Sequence, residues 1–344
     1  MAQYVIDLLA SLTSSCFPAA EIRINSRRVK ELRLLGEGGF AFVYLVEEVG
    51  GSGAQYALKK IRCPFGTEDA LRERDAYKMF DHPNIMKCVD SATVQERDGG
   101  KTVLILLPYY RRGNLQDVIN SNVVNRTTSS ERDVLKLFRG VCKALQVVHG
   151  GRQTPTVVRP RMDDDEDDDA QESTAMMRGS NNAGSGRGAV AYAHRDIKPG
   201  NIMIGDDGVT PILMDFGSMR RARREVRSRA EAIEVQDDAE VHCSMHFRAP
   251  EIFDVPTGTT LTEAVDIWSL GCTLYATLYG RSPFDTGEGS PALAVLNGQY
   301  KIPEDGNYSD GTNDIIRKCL QVEPNDRPNA TQVLEMVDKA LAQC

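Results

Sequence analysis

Two short segments in the second half of the chain, "AHRDIKPGNIMI" and "MDFGS", constrain its fold and chemistry more than any other feature. In the first, the Asp196 carboxylate can accept the proton of an attacking hydroxyl, and Lys198 can neutralise charge on a phosphoryl group in transfer. Asn201 and Asp215 offer the hard oxygen ligands that magnesium prefers. An "APE" segment follows at residues 249–251, and this combination in this order predicts a phosphoryl-transfer site.

The hydrophobic pattern divides the chain into a β-rich part and a larger helical part. From about Val29 to Tyr110, alternating and β-branched segments predict an antiparallel sheet, interrupted by one helix that can start at Thr67. From Leu115 onward the apolar period is mostly helical. A helix with Ser130 as N-cap is followed by candidates at Ala264–Tyr279, Pro291–Leu296, Gly311–Leu320 and Ala330–Leu341. The predicted fold class is therefore α+β.

Residues 150–190 have no hydrophobic period. They contain the acidic run "MDDDEDDDAQ" and then "RGSNNAGSGRG", a composition too polar and flexible to offset the entropy of ordering. We expect this segment to be disordered. The acidic run lacks the glycine and the terminal glutamate of a calcium-binding loop, so a dedicated metal site is not expected there.

Composition argues against several other classes of protein. A net charge of −8 without an evident basic face gives no reason to expect nucleic acid as a partner. Eight cysteines without C-x-x-C spacing favour reduced thiols over a disulfide framework or a zinc site. No stretch approaches the roughly 18 apolar residues of a membrane span. The N-terminus lacks the positive region of a secretory signal, and Ala2 rules out ordinary N-myristoylation.

A glycine-rich segment, "LGEGGFAFV", carries Gly36 and Gly38, followed by Ala41 and Val43. Strand-like residues on both sides predict a hairpin whose backbone N–H groups can approach phosphates, because no Cβ obstructs them. A dinucleotide-binding turn would instead open a helix, so that interpretation is disfavoured. On this motif alone, a plain β-hairpin remains an open alternative.

Lys59 ends "YALK" in the next predicted strand and can project towards the same phosphates. Glu73, in the helix that follows, is its expected ion-pair partner. Taken singly, a lysine such as Lys59 is more often a surface residue than a phosphate ligand, and a surface lysine is what we expect of Lys60. Glu73 is one of several acids in "EDALRERD", and its assignment depends on a family resemblance.

Together these residues resemble the protein-kinase signature set: glycine-rich loop, strand lysine, H-R-D-I-K-P-x-N catalytic loop, D-F-G and A-P-E. The resemblance implies a bilobal kinase domain over residues 28–342, preceded by a tail at residues 1–27. The N-lobe (28–110) would be a small antiparallel sheet with one helix, and the C-lobe (111–342) would be mainly helical. The acidic segment would interrupt the C-lobe as a surface insertion whose deletion leaves the core folded and active.

The resemblance also implies ligands and catalytic roles. Asp196, Lys198, Asn201 and Asp215 would be catalytic, and Asn201 and Asp215 would hold Mg²⁺. Leu107 would be the gatekeeper beside a hinge at Pro108–Tyr110. The implied ATP-binding residues are Leu35, Gly36, Glu37, Gly38, Val43, Ala57, Lys59, Glu73, Leu107, Pro108, Tyr109 and Tyr110.

Further residues would support this site. By the same resemblance, His194 and Arg195 would support the catalytic loop and Asp266 would brace it. Phe216 would pack behind the magnesium site. Arg327 would pair with Glu251 of the A-P-E segment.

Several features indicate which kind of protein kinase this chain resembles. Lys198 and Ser244 are similar to residues of serine/threonine kinases, in which a hydroxyl at the position of Ser244 contacts the catalytic Asp and Lys. "LGEGGFAFVYLV", "YALKKI", "LLPYYRRGNL" and "MDFGSM" resemble the Numb-associated kinases, and within them the lipid-anchored, Golgi-associated and fungal vacuolar branch. The chain departs from that pattern in Ala41, which replaces a glycine, in the absent myristoylation site, and in the long insertion.

The segment between D-F-G and A-P-E, residues 219–249, contains neither Gly nor Pro and is rich in helix-forming Arg, Ala and Glu. In most kinases, phosphorylation orders a flexible loop here against the Arg of H-R-D. We predict a partly helical segment and catalysis that does not require its phosphorylation. Arg195 would be balanced by Glu231, Glu234 or Asp237. A disordered charged loop is the alternative.

The implied partners are ATP and proteins with Ser or Thr hydroxyls, and we expect a monomer that does not bind nucleic acid. The expected location is cytoplasmic, peripheral on a Golgi or vacuolar membrane. S-acylation of Cys16 could supply the attachment, although an unmodified tail cysteine is an equal alternative. A catalytically inactive pseudokinase scaffold is the alternative function, although Lys59, Asp196 and Asp215 are all retained.

Overall fold

The computed structural model describes residues 21–38, 41–51, 53–64, 66–96, 99–150, 190–285, 290–303 and 308–344. The predicted disorder of the acidic insertion and the predicted modification of Cys16 therefore fall outside the described residues. Within them, no helix is both long enough and apolar enough to span a membrane.

The N-terminal part is a six-stranded antiparallel sheet with one helix, as the alternating pattern predicted. The strand order is β1-β2-β3-β4-β6-β5. The strands are β1 (Glu21–Ile24), β2 (Arg27–Gly38), β3 (Ala41–Glu48), β4 (Gln55–Cys63), β5 (Asp90–Gln95) and β6 (Lys101–Pro108). The helix, α1 (Glu68–Ala76), lies between β4 and β5 in the chain and directly follows Thr67.

The sheet begins before residue 28, so the expected tail at residues 1–27 is too long. β1 and β2 form a tight hairpin in which Ile24 pairs with Arg27, and Asn25 takes the left-handed conformation (φ 51°) that such a two-residue turn requires. Ile24 is fully buried. The Asn25 side chain donates to Asp90 Oδ1 at 2.7 Å and thereby joins the two outer strands of the sheet.

The C-terminal part is mainly helical. Its helices are α2 (Leu115–Asn125), α3 (Glu131–Gly150), α4 (Arg229–His242), α5 (Ala264–Tyr279), α6 (Pro291–Leu296), α7 (Asp310–Cys319) and α8 (Ala330–Leu341). Its short strands are β7 (Tyr192–Ala193), β8 (Ile202–Ile204), β9 (Pro211–Leu213), β10 (Arg220–Arg221), β11 (Arg224–Val226) and β12 (Thr259–Leu261). The four helices predicted downstream of residue 260 are confirmed. The helix α7 starts at Asp310, one residue before its predicted start.

Helix α2 has a start signal that the periodicity analysis did not use. Asn114 caps it by accepting from the Asp117 backbone N–H, and the Asp117 carboxylate accepts from the Asn114 N–H in return. This is a reciprocal capping box, and N-x-x-D before an apolar residue is its signature.

The core of the C-terminal part is built around α5, which is buried from Val265 to Leu278. An apolar helix of this kind lacks a strong amphipathic period because it has no solvent face. Trp268 stacks on Phe284 with ring centroids 5.3 Å apart, and the Arg327 guanidinium lies over the Trp268 ring at 5.1 Å. Arg327 also binds both carboxylate oxygens of Glu251, at 2.7 and 2.8 Å.

Candidate active site

A cleft of about 700 Å³ lies between the two parts of the fold. This volume is within the usual range for small-molecule sites. All the predicted ATP-binding residues except Glu73 line it, together with Asn201 and Asp215. Sequence reasoning missed three methionines in the wall, Met86, Met203 and Met214, because nothing in a methionine's sequence context distinguishes a pocket wall from a core.

The β2–β3 hairpin covers this cleft. A Cβ built on Gly36 or on Gly38 would meet no protein atom within 4 Å. The protein therefore does not need glycine at either position for its own packing, and the space that the absent side chains leave adjoins the cleft. Such a cradle suits phosphate groups that approach the backbone closely.

Lys59 bridges the two parts of the fold through two carboxylates. Its Nζ donates to Glu73 Oε1 at 2.6 Å and to Asp215 Oδ1 at 3.0 Å. Burial alone would lower the pKa of Lys59, but the Asp215 and Glu73 carboxylates hold it well above its ordinary value. Burial would raise the pKa of Asp215, yet the Lys59 ammonium keeps it below the usual range. Lys59 is thus charged, and Asp215 is an ionised carboxylate.

The segment before Asp196 is held by a buried carboxylate on α5. Asp266, which is fully buried, accepts from the backbone N–H groups of His194 and Arg195, both at 2.7 Å. The His149 ring nitrogen Nε2 lies 2.8 Å from the same carboxylate. Burial would raise the pKa of Asp266, but these donors lower it, so the group remains ionised inside the protein. Arg195 has φ 70°, a strained conformation that the two backbone bonds stabilise.

Asp196 lies at the centre of a polar network. Its Oδ2 accepts from Lys198 Nζ at 2.7 Å and from Asn201 Nδ2 at 2.9 Å. Its Oδ1 accepts from the Ser244 backbone N–H at 2.9 Å. Lys198 Nζ also donates to Ser244 Oγ at 2.7 Å. The structure therefore brings Asp196, Lys198, Asn201 and Ser244 together, as the family resemblance implies.

The residues expected to hold magnesium have suitable chemistry. Because the Asn201 amide nitrogen faces Asp196, its oxygen is directed elsewhere, and Asp215 supplies an ionised carboxylate. No cluster of three or more His, Cys, Asp or Glu side chains that could hold a metal exists among the described residues. A metal here would complete its shell with phosphate oxygens and water, which is the usual mode for Mg²⁺.

The segment between D-F-G and A-P-E is partly helical, which confirms the prediction. Helix α4 starts after Ser228, whose hydroxyl accepts from the Glu231 N–H at 3.2 Å as an N-cap. β11 pairs with β12, so the segment is also tied to the strand that precedes α5.

The predicted partner of Arg195 is wrong. Arg195 Nη1 donates to Asp238 Oδ2 at 2.5 Å, whereas Glu231 accepts from the Arg227 backbone and Glu234 pairs with Arg224. The reason is helical phase. The inner face of α4 carries Ala232, Val235 and Ala239, and Asp238 lies beside this face while Asp237 points outward.

Asp238 joins three basic groups. Besides Arg195, it accepts from Arg220 Nη2 at 2.5 Å, and His242 Nδ1 lies 3.2 Å from it. Burial would raise the pKa of Asp238, but His242 and the two guanidinium groups hold it well below its usual range. In return, the Asp238 carboxylate raises the pKa of His242. Neither Arg220 nor His242 carries a sequence signal for this cluster.

Replacing Asp238 with Asn should lower the free energy of unfolding by about 1–3 kcal/mol, because Arg195 and Arg220 lose the charge between them. Asp237→Asn is the matched control, since Asp237 is exposed, and should change stability by less than about 0.5 kcal/mol. Urea unfolding at pH 7 measures both. Equal effects of the two substitutions would contradict the assigned pairing.

Comparison with known proteins identifies the family. The protein kinase domain model matches residues 29–154 and 190–337. Serine/threonine-protein kinase ppk13 of Schizosaccharomyces pombe is 38% identical, over 98% of this chain and 98% of its own. Serine/threonine-protein kinase ENV7 of Saccharomyces cerevisiae is 37% identical, over 98% and 99%. Human serine/threonine-protein kinase 16 is 34% identical, over 92% and 91%. The chain therefore belongs to the protein kinase family, as its motifs predicted.

Proposed function

We propose that this chain is an active serine/threonine protein kinase that transfers the γ-phosphate of ATP to Ser or Thr hydroxyls of proteins. The observation that carries the proposal is the network around Asp196. Its carboxylate is oriented by Lys198, Asn201 and the Ser244 N–H, beside a cleft of nucleotide size. Relatives named as serine/threonine kinases support the same substrate class.

The nucleotide would be held by the cleft. The hinge, Pro108–Tyr110, would face the adenine, and the open space at Gly36 and Gly38 would receive the phosphates. Lys59, already charged and fixed by Glu73, would bind phosphate oxygens without reorganisation. Asn201 and Asp215 would hold magnesium, which when bound supplies positive charge against the phosphate oxygens.

The substrate hydroxyl would approach Asp196. The carboxylate would orient the hydroxyl and accept its proton as the bond from the hydroxyl oxygen to the γ-phosphorus forms and the bond from that phosphorus to the leaving ADP breaks. Lys198, 2.7 Å from both Asp196 and Ser244, would neutralise the charge that develops on the transferred group. The Ser244 hydroxyl would keep Lys198 in reach of both groups.

A catalytically inactive scaffold is the alternative. Such a protein needs neither an ionised metal ligand nor a charged lysine fixed by two carboxylates. Both are present here at short distances, and their burial would be costly to maintain without a use for the charges. This observation favours the enzyme.

The proposed function is tested by measuring phosphate transfer from Mg-ATP to a library of Ser/Thr peptides. The Asp196→Asn variant is the negative control. Lys59→Met should lower kcat/KM by about a hundredfold or more. The matched control is Lys60→Met in the same strand, whose ammonium pairs with Glu31 and lies over the Tyr44 ring, and it should stay within about twofold of wild type. Equal phosphate incorporation by wild type and Asp196→Asn would end the proposal.

Activity should not require phosphorylation of the segment between D-F-G and A-P-E. Asp238 already supplies a negative charge to Arg195, which is the contact that a phosphate makes in many kinases. Ser228→Asn keeps an N-cap but cannot be phosphorylated, and this variant, after phosphatase treatment, should retain wild-type kcat within about threefold. An inactive dephosphorylated protein that regains activity when Ser228 is phosphorylated would refute this.

The kinase is further proposed to act as a monomer on the cytoplasmic face of a Golgi or vacuolar membrane, attached through S-acylated Cys16. The support is the resemblance to the lipid-anchored branch and the apolar segment "YVIDLLASL" near Cys16, since one acyl chain needs a second contribution. Cys16→Ser should move the protein from the membrane fraction to the soluble fraction. Cys344→Ser, at the exposed C-terminus, is the control. An unchanged distribution of Cys16→Ser would remove this proposal.

A further inference from the structure

Helix α4 is fixed to the rest of the protein along its inner face. Besides its buried apolar residues, Gln236 Nε2 donates to the Phe253 carbonyl oxygen at 2.7 Å. At the C-terminal end of the helix, the Ser218 hydroxyl donates to the His242 carbonyl oxygen at 2.6 Å, and the ion pairs of Asp238 add to these contacts. The helix therefore holds its opposite face in a defined position.

The opposite, outer face of α4 carries apolar side chains in solvent. Ile233 and Val241 have exposed fractions of 44% and 77%, and Met245, just beyond the helix, is 43% exposed. Residues four positions apart share one face of a helix, so Ile233, Asp237 and Val241 lie in one row. The β-branched side chains lower helix propensity, and burial does not compensate for this within the chain. A partner that covers these side chains would supply the missing burial.

This outer surface, the α4 face (Ile233, Asp237, Glu240, Val241 and Met245), is also acidic. Asp237 and Glu240 are exposed. Among the described residues neither carboxylate has an ion-pair partner, whereas the neighbouring Glu234 pairs with Arg224 at 3.0 Å. Lysine or arginine side chains of a partner would complement these two charges, and an anionic membrane or a nucleic acid would be repelled by them.

The α4 face adjoins the place where a substrate hydroxyl must arrive. The Ser244 N–H donates to Asp196 at 2.9 Å, and Met245 follows Ser244 directly. Val241 precedes Ser244 by three residues, so their Cα atoms are at most about 11 Å apart. From Val241 to Ile233 the helix extends about 12 Å further. A protein whose hydroxyl contacts Asp196 would therefore have its neighbouring residues within reach of the α4 face.

We propose that the α4 face is a docking surface for protein substrates that carry lysine or arginine next to apolar side chains, a few residues from the hydroxyl that receives phosphate. The apolar side chains would cover Ile233 and Val241, and the cations would pair with Asp237 and Glu240. Such contacts are equally strong in the ground state and the transition state, so they lower KM without raising kcat. The substrate class rests on the proposed function, and docking is therefore also measured without catalysis.

Three kinds of peptide test the proposal. The first is a short Ser/Thr peptide selected from the library. The second adds Leu-Lys-Lys-Leu through a Gly/Ser spacer of about four residues, enough to extend from Ser244 to Val241, before the hydroxyl residue in one version and after it in another. The third carries Leu-Glu-Glu-Leu instead. In wild type, one version of the lysine extension should lower KM about tenfold with kcat within about twofold, and the glutamate extension should not.

The variant Asp237→Lys/Glu240→Lys should lose the preference for the lysine extension and prefer the glutamate extension instead. This reversal is the decisive readout, because a protein that is merely less stable cannot gain a new preference. Its kcat/KM for the short peptide should stay within about twofold of wild type. The matched control is Asp314→Lys/Glu335→Lys, which makes the same change of net charge at exposed acids of α7 and α8 and should keep the wild-type preference.

The apolar contacts are tested separately. Ile233→Ser/Val241→Ser should reduce the gain from the lysine extension to about threefold or less. The matched control is Val123→Ser/Val124→Ser on α2, where the side chains are 58% and 80% exposed, and it should keep the full gain.

The absence of a gain from the lysine extension in wild type would overturn the proposal. An equal gain in wild type and Asp237→Lys/Glu240→Lys would do the same. A second copy of this chain as the occupant would also overturn it, and sedimentation would then show a wild-type dimer that Asp237→Lys/Glu240→Lys converts to a monomer.

Failure of the proposed function looks different. In that case wild type transfers no more phosphate than Asp196→Asn. The affinity for the fluorescently labelled lysine-extended peptide, measured by anisotropy, still decides whether the α4 face is a docking surface. Wild type and Asp196→Asn should bind this peptide equally, and Asp237→Lys/Glu240→Lys should bind it about tenfold more weakly.

Discussion

The buried Asp266 carboxylate is the interaction on which the site depends. It holds two consecutive backbone N–H groups of the H-R-D segment from the most buried helix of the fold. A buried charge is costly unless it is fully hydrogen-bonded, and here the donors repay the desolvation. Because α5 is packed on every side, the position of Asp196 is set by the rigidity of the hydrophobic core rather than by the loop that carries it.

Two groups of ion pairs connect the residues around Asp196 to other parts of the fold. Towards the sheet, Lys59 joins Glu73 of α1 to Asp215, so the N-terminal part is connected to the D-F-G segment. Towards α4, Arg195 next to Asp196 binds Asp238. Asp266 and Asp238 thereby restrain the H-R-D segment, and Lys59 restrains Asp215 of the D-F-G segment. Such restraint suits a site that must not reorganise during a reaction.

Much of the fold and site could be predicted because motifs and periodicity are local signals. The helices after residue 260, the sheet of the N-terminal part and the grouping of Asp196 with Lys198 and Asn201 follow from such signals. Three features did not. The partner of Arg195 depends on which face of α4 is turned towards Arg195, and the alternating charges of the helix do not define that face. The hydroxyl of Tyr77 accepts a hydrogen bond from the backbone N–H of Asp215 at 3.1 Å, and a contact between residues so far apart in the sequence leaves no local signal. The β1 hairpin was missed because four residues are too few to establish an alternation.

The pairing of Arg195 with Asp238 also bears on how such a molecule can be controlled. A phosphate on a loop can be added and removed, so it makes a reversible contact. The Asp238 carboxylate is part of the chain from synthesis, stays ionised over the physiological range, and is beyond the reach of any phosphatase. The contact of Arg195 with a negative charge is therefore present without any modifying enzyme.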